Sequence, residues 1–284
     1  MLSLPAVIRR RTLEIARPDA HRVVPRGSTM DPLAELIRRT PGFRGKGRIL
    51  SFWLKTRRGR RTRVLPGGLR ISLAMNVPYE AMVWLGWEER EELELLSQLL
   101  RPGDTFVDCG ANIGLWSLVA APLVGEGGRV IAFEPNPDSS RRLAEHAVQS
   151  AVIEVHAAAL SEAPRSLRFE PGEHHNLARV SNEGSMRVQA TTLDAAVEPP
   201  VHGIKLDVEG HELEVLRGAE KILSSRPWVV VEFNMLHTPA RHLGEWSVHH
   251  LLAGLGYRAS SSKGAALDGT WAPPFTYANI LYRV

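Results

Sequence analysis

Residues 103–136 read GDTFVDCGANIGLWSLVAAPLVGEGGRVIAFEPN, and no other stretch narrows the fold so much. An apolar run from Thr105 to Val107 ends in Asp108. A glycine turn follows (Gly110, Asn112, Gly114), then a helical stretch, then a second apolar run from Val130 to Phe133 that ends in Glu134. That is one βαβ unit, with a backbone-open turn after its first strand and a carboxylate after its second. Glycines let the main chain approach a ligand closely. An acid 20 residues past the last glycine can accept hydrogen bonds from ribose hydroxyls. The unit points to a nucleoside-bearing ligand.

The dinucleotide fingerprint G-x-G-x-x-G sets helix N-terminal amides around a pyrophosphate. Here the loop is D-x-G-x-N-x-G. Asp108 stands at its mouth, where a pyrophosphate would be repelled and an ammonium welcomed. S-adenosylmethionine carries an ammonium, a sulfonium and a ribose but no phosphate. Asp108 therefore argues for adenosylmethionine over NAD, meeting the methionine ammonium directly or through water. Gly110, Asn112 and Gly114 should shape the backbone around the carboxypropyl chain, and Glu134 should hold the ribose diol. The generic βαβ unit with Glu134 leaves an NAD-dependent oxidoreductase as the alternative.

The rest of the chain alternates in the same way. Strands are predicted at 105–109, 129–134, 152–157, 203–207, 228–233 and 275–283, and helices at 88–100, 113–122, 137–149, 209–224 and 246–255. A strand-rich insertion fills about 165–193. Repeated βα units imply an α/β fold, a mostly parallel sheet with helices on both faces, and ligands beyond the strand C-termini. Asp108, Glu134, Leu160, Asp207 and Glu232 all fall at or near such ends.

GDTFVDCGANIG, AFEPNP, the Ala159-Leu160-Ser161 step and IKLDVEGHELEVLRGA, in this order and spacing, resemble the FkbM family of adenosylmethionine-dependent methyltransferases. Gly86-Trp87-Glu88 resembles the family's Gly-aromatic-Glu lead-in. The likeness runs from about Trp84 to Asn234, over half the chain. It implies a class I methyltransferase fold, Rossmann-like, and methyl transfer to a hydroxyl of a sugar, glycolipid or natural product. It also implies adenine contact at Leu160 and Ser161, after the third core strand.

A hydroxyl is a poor nucleophile at neutral pH, so a positioned base or a metal should help remove its proton. Asp207 ends a strand, and Glu209 and His211 open the next predicted helix, where acids also suit the helix dipole. Glu232 closes VVVEF, and a lone acid ending such a run needs a partner if buried. These four are the expected catalytic groups. His174, His175 and Asn176, in the insertion, are the expected acceptor contacts. Asp207 with Glu232 has the chemistry to hold a divalent cation, but no close ligand spacing demands one and no metal is expected.

Charge is unevenly spread. Residues 1–70 hold 18 Lys/Arg against 4 Asp/Glu, and the remainder 17 against 27. The reading is a basic, partly flexible N-terminal extension over 1–75 (helix plus hairpin) and a catalytic domain over 76–284. Within the extension, Asp31-Pro32 starts a helix and Pro66-Gly67-Gly68 turns the hairpin. Residues 49–61, ILSFWLKTRRGRR, set apolar anchors before a basic cluster, either to pack on the catalytic domain or to touch a membrane surface. A basic arm also raises a nucleic-acid methyltransferase. The core argues against it, because Asp207-Val208-Glu209-Gly210 stands where an Asn/Asp-Pro-Pro-aromatic motif would be. No apolar run reaches the 18 residues of a spanning helix. The single cysteine, Cys109, suits a buried filler and a reducing compartment, the cytoplasm.

Overall fold

The computed structural model describes residues 58–86, 89–171, 179–181, 183–274 and 276–284. The helix expected from Asp31 and most of 49–61 lie outside these residues. Two strands, β1 (Arg60–Val64) and β2 (Arg70–Ala74), form the expected hairpin. Helices α1 (Pro78–Leu85) and α2 (Arg90–Leu99) lead into the core.

The core alternates strand and helix: β3 (Thr105–Cys109), α3 (Leu115–Val124), β4 (Arg129–Phe133), α4 (Pro137–Ala147) and β5 (Ile153–His156). Pro137 in the first turn and the Asn136 side chain, which accepts from the Asp138 and Ser139 amides, explain why α4 starts where it does. A second sheet follows, made of β6 (Ala159–Leu160), β7 (Arg165–Glu170), β8 (Arg179–Val180) and β9 (Met186–Thr191) in the order β6-β9-β7-β8. The chain then runs through α5 (Leu193–Ala196), β10 (Gly203–Leu206), α6 (Glu212–Arg217), α7 (Glu220–Ser224) and β11 (Trp228–Asn234). It ends with α8 (Ser247–Gly254), β12 (Arg258–Ser261) and β13 (Tyr277–Arg283).

The main sheet has seven strands ordered β12-β13-β11-β10-β3-β4-β5. Its pairs are parallel except those of β13, which runs against β11 and β12. This is the class I methyltransferase architecture. All five residues of β3 are buried, and alternate side chains enter opposite layers. Phe106 joins the layer beneath the hairpin and α1–α3, while Val107 and Cys109 join the layer beneath α6–α8. Cys109 is 0% exposed, and burial pushes its thiol up, as suits a packing role.

The hairpin packs on the core: Leu65, Ile71, Leu73 and Met75 share one cluster with Leu96, Phe106 and Trp116. One expectation is corrected. The helix expected over 209–224 is two short helices. Glu209 (φ 56°) and Gly210 (φ 96°) are left-handed, so helix begins only at Glu212. A Cβ on Gly218, between α6 and α7, would stand 2.2 Å from the Ser161 carbonyl oxygen, so the break lets the second sheet approach.

The chain winds from β3 outward to β4 and β5, then returns to β10 and β11 on the other side of β3. Strand order reverses between β3 and β10, which opens a crevice beyond their C-terminal ends. Most of the described candidate site residues gather there.

Candidate active site

A cavity of about 400 Å³ occupies that crevice. Its walls come from the glycine turn, the ends of β4, β10 and β11, helix α1, the start of α3 and the second sheet.

The glycine turn is closely packed, and of its three named residues Gly110 and Asn112 line the cavity while Gly114 does not. Gly110 has φ +80°, and a Cβ on it would lie 1.8 Å from the Asp207 carbonyl oxygen, so only glycine lets β3 and β10 end this close together. Asn112 is left-handed at φ 50°. A Cβ on Gly114 would stand 2.5 Å from Leu143 Cδ1. Glu134 ties the turn to β4, accepting from the Asn112 amide and the Asn136 amide, each at 2.8 Å. Burial pushes its carboxyl up to about 7 against those two bonds. Gly110, Asn112 and Glu134 all line the cavity.

Asp108 does not line it. The side chain is 0% exposed and lies behind the wall, its Oδ2 accepting from Ser117 Oγ at 2.6 Å. Its Oδ1 has no hydrogen-bond partner among the described residues, and burial raises its carboxyl. The acid that faces the cavity beside the glycine turn is Glu89, which accepts from Tyr79 OH at 2.7 Å and from Trp116 Nε1. Enclosure by protein raises the Glu89 carboxyl to about 7.

Lys205 bridges these acids. Its ammonium donates to the Gly110 carbonyl at 3.1 Å and to Asp207 Oδ2 at 3.0 Å, and lies 5.8 Å from the Trp116 ring centroid. Burial opposes its charge, but Asp207, Asp108 and Glu89 outweigh that and push its pKa up.

Asp207, Glu209 and Glu232 converge at the other end, each offering an oxygen within 4.8 Å of the others. That spacing would suit a divalent cation, but two of the three carboxylates already have basic neighbours. Lys205 holds Asp207. Glu209 Oε2 is 2.6 Å from His237 Nδ1, a close charge contact lying off the line of a hydrogen bond. That contact raises the His237 pKa against the cost of burial. Burial, then Asp207 and Glu209, push the Glu232 carboxyl well up, while Asn234 Nδ2 donates to it at 3.2 Å. Glu212 secures the left-handed turn beneath, accepting from the Val208 and Gly210 amides at 3.2 and 3.0 Å.

His211 reaches the cavity wall, but its ring is occupied. Nε2 lies 3.1 Å from Ser161 Oγ, and Nδ1 lies 3.6 Å from Glu214. Burial lowers its pKa. Ser161 is 0% exposed and also takes a bond from Arg165 at 2.9 Å, so of the Leu160-Ser161 pair only Leu160 reaches the cavity. His174, His175 and Asn176 lie outside the described residues; the insertion contributes Phe169 and Val180 to the wall. Leu236, 75% exposed, and Tyr277, 44% exposed, edge the same cavity.

Sequence reasoning missed Glu89, Lys205 and His237. Lys205 carried a signal, since strand alternation puts it on the face of Asp207, two residues on. Glu89 follows directly on the Gly-aromatic-Glu lead-in. Nothing linear joins His237 to Glu209.

Comparison with known proteins agrees with the motifs. The family model described as the methyltransferase FkbM domain matches residues 108–259, more than half of the chain. The hexuronic acid methyltransferase AglP of Haloferax volcanii is 35% identical over 154 residues, 51% of this chain and 62% of that protein. The chain thus spans less than two thirds of that relative. Among solved structures, the methyltransferase FkbM from Methylobacillus flagellatus KT overlaps at TM-score 0.44 with 18% identity, covering 72% of this chain and 54% of that one. A SAM-dependent methyltransferase from Aquifex aeolicus overlaps at 0.42 with 16% identity, covering 72% and 96%. The family match begins at the acid beneath the glycine turn and runs through the strand ends that carry Glu134, Asp207 and Glu232 to β12, and on that match the chain belongs to the FkbM methyltransferase family.

Proposed function

We propose that the cavity binds S-adenosylmethionine and that the protein methylates a hydroxyl of a sugar-type acceptor. One observation carries the reading: Glu89, Glu134, Asp207, Glu209 and Glu232 line the cavity, and the lysine among them is already bonded to Asp207. A cationic nucleoside would hold such a wall ionised, and an ionised wall repels a pyrophosphate. In this reading Glu134 holds the ribose, Leu160 and Phe169 flank the adenine, Gly110 and Asn112 present backbone to the cofactor, and Gly114 lets the turn pack on Leu143. The bound donor supplies an activated methyl group on a sulfonium leaving group. The protein's work is then to align the acceptor oxygen, exclude water and receive the hydroxyl proton.

His237, set beside Glu209, is the base in this reading. Glu232 and Asp207 position the acceptor hydroxyls, while His211, tied to Ser161 and Glu214, supports the wall. This reading invokes no divalent cation: Lys205 holds Asp207, and the neutral His237 imidazole beside Glu209 takes the proton and leaves as an imidazolium paired with that carboxylate. Leu236 and Tyr277 offer an apolar edge to the C–H face of a sugar ring. The name of the Haloferax relative makes uronic acids the first acceptors to try.

Isothermal titration tests the cofactor. Adenosylmethionine and adenosylhomocysteine are expected to bind and NAD not to; tight NAD binding with neither of the others would overturn the reading. Residues 49–61 are proposed to touch an anionic membrane as a cytoplasmic peripheral contact. No described helix is long and apolar enough to cross a membrane. The full chain should cosediment with anionic vesicles and release with salt. Equal sedimentation after deletion of 49–57 would remove that role.

A further inference from the structure

We propose that Glu89, held by Trp116 and Tyr79, receives the ammonium of the cofactor's methionyl end, the role the sequence assigns to Asp108. The inference rests on the cofactor reading above.

The geometry separates the two acids. Asp108 is sealed behind the wall and bonded to Ser117. Glu89 is on the wall. Both of its oxygens are fixed, Oε1 by the Tyr79 hydroxyl at 2.7 Å and Oε2 by the Trp116 indole N–H. Trp116 stands in the first turn of α3, directly after the glycine turn, and Tyr79 stands in the first turn of α1. Two helices thus aim one carboxylate into the cavity beside Gly110. Each oxygen keeps a further lone pair for an incoming donor.

Charge points the same way. Lys205 is the basic group whose charge acts on Glu89, and its ammonium is committed to Asp207 and the Gly110 carbonyl. Enclosure leaves the Glu89 carboxyl at about 7, short of a full counter-charge. A ligand ammonium would complete the pair. Glu89 also lies upstream of the family match at 108–259, so that match says nothing of it.

Three nucleosides test the proposal by calorimetry on the full chain. Adenosylhomocysteine carries ammonium and carboxylate. S-adenosyl-3-thiopropylamine carries the ammonium alone. 5′-Methylthioadenosine carries neither. Glu89→Gln keeps the size of the side chain and an oxygen for Trp116. It is expected to weaken the first two by about 10–100-fold, the loss of one charge-assisted contact, and to leave methylthioadenosine within about twofold. An unchanged melting curve would show that the variant is folded.

The pH dependence follows. Lys205 and Asp207 are the charges facing Glu89, and Tyr79 and Trp116 its donors. Below a carboxyl pKa of about 7 the acid is protonated and must lose that proton to meet an ammonium. Wild-type affinity for S-adenosyl-3-thiopropylamine should fall roughly fivefold from pH 7 to pH 6 through this group. Glu134, also at about 7, adds a slope shared by all three ligands and by the variant. Glu89→Gln should keep only that shared slope.

Equal weakening of all three ligands would make Glu89 structural and overturn the proposal. Undiminished binding of adenosylhomocysteine by the variant would overturn it as well. If wild type binds none of the three, the cofactor reading fails and takes this proposal with it.

Discussion

Glu80→Ala is expected to destabilise the protein by about 3–5 kcal/mol, the cost of stranding a buried charge. Glu80 and Arg142 are each 2% exposed and paired at both oxygens, Nη1 to Oε1 and Nη2 to Oε2, at 2.7 Å. Arg142 also donates to the Ser72 carbonyl at 2.8 Å, and Glu80 accepts from the Ala74 amide at 2.6 Å. The pair therefore locks α1 and β2 onto α4. Removing the acid leaves the guanidinium buried with a single neutral carbonyl. Replacing both residues by methionine should cost far less than either single change, because both desolvation penalties disappear together. Urea denaturation of the two singles and the double gives the cycle. A Glu80→Ala loss under about 1 kcal/mol would place the pair among weak surface contacts and sink the argument. Cofactor affinity should drop with stability, because α1 carries Tyr79 to Glu89.

His237→Ala is expected to lower turnover by about 10²–10⁴-fold, the usual worth of a positioned base, with adenosylhomocysteine affinity unchanged. Glu209→Gln should cost less, since the imidazole remains and only its orientation and charge partner are lost. Turnover is measured as label transfer from adenosylmethionine to whichever uronic-acid glycoside wild type methylates, with EDTA present. Added imidazole should restore part of the activity of His237→Ala. Full activity in that variant would remove His237 as base. Loss of wild-type activity with EDTA would instead assign proton removal to a cation held by Asp207, Glu209 and Glu232.

These two sites divide what was readable from what was not. The βαβ unit was legible because burial on both faces forces near-continuous apolar runs, and because Gly110 and Gly114 are required by backbone conformation. The 209–224 helix was misread because periodicity registers the apolar positions of α6 and α7 but not the left-handed turn at Glu209–Gly210. Nor does it register the close approach of Ser161 at Gly218.

Asp108 shows the limit most clearly. Its place at the end of β3 follows from the letters, but the layer its side chain enters depends on what packs above the strand. Ser117 on α3 took that carboxylate inward.

Sequence alone determined the alternation of the core strands and helices, the glycine turn and the concentration of acids at strand ends, all consequences of local pattern and backbone sterics. Tertiary structure alone decided which acids reach the cavity and which basic groups meet them. Glu89 with Trp116, and Glu209 with His237, are partners some 27 and 28 residues apart in the chain. Such pairs exist only once helices and strand ends pack, because the contact is set by the distance between surfaces and no periodic pattern along the chain encodes it.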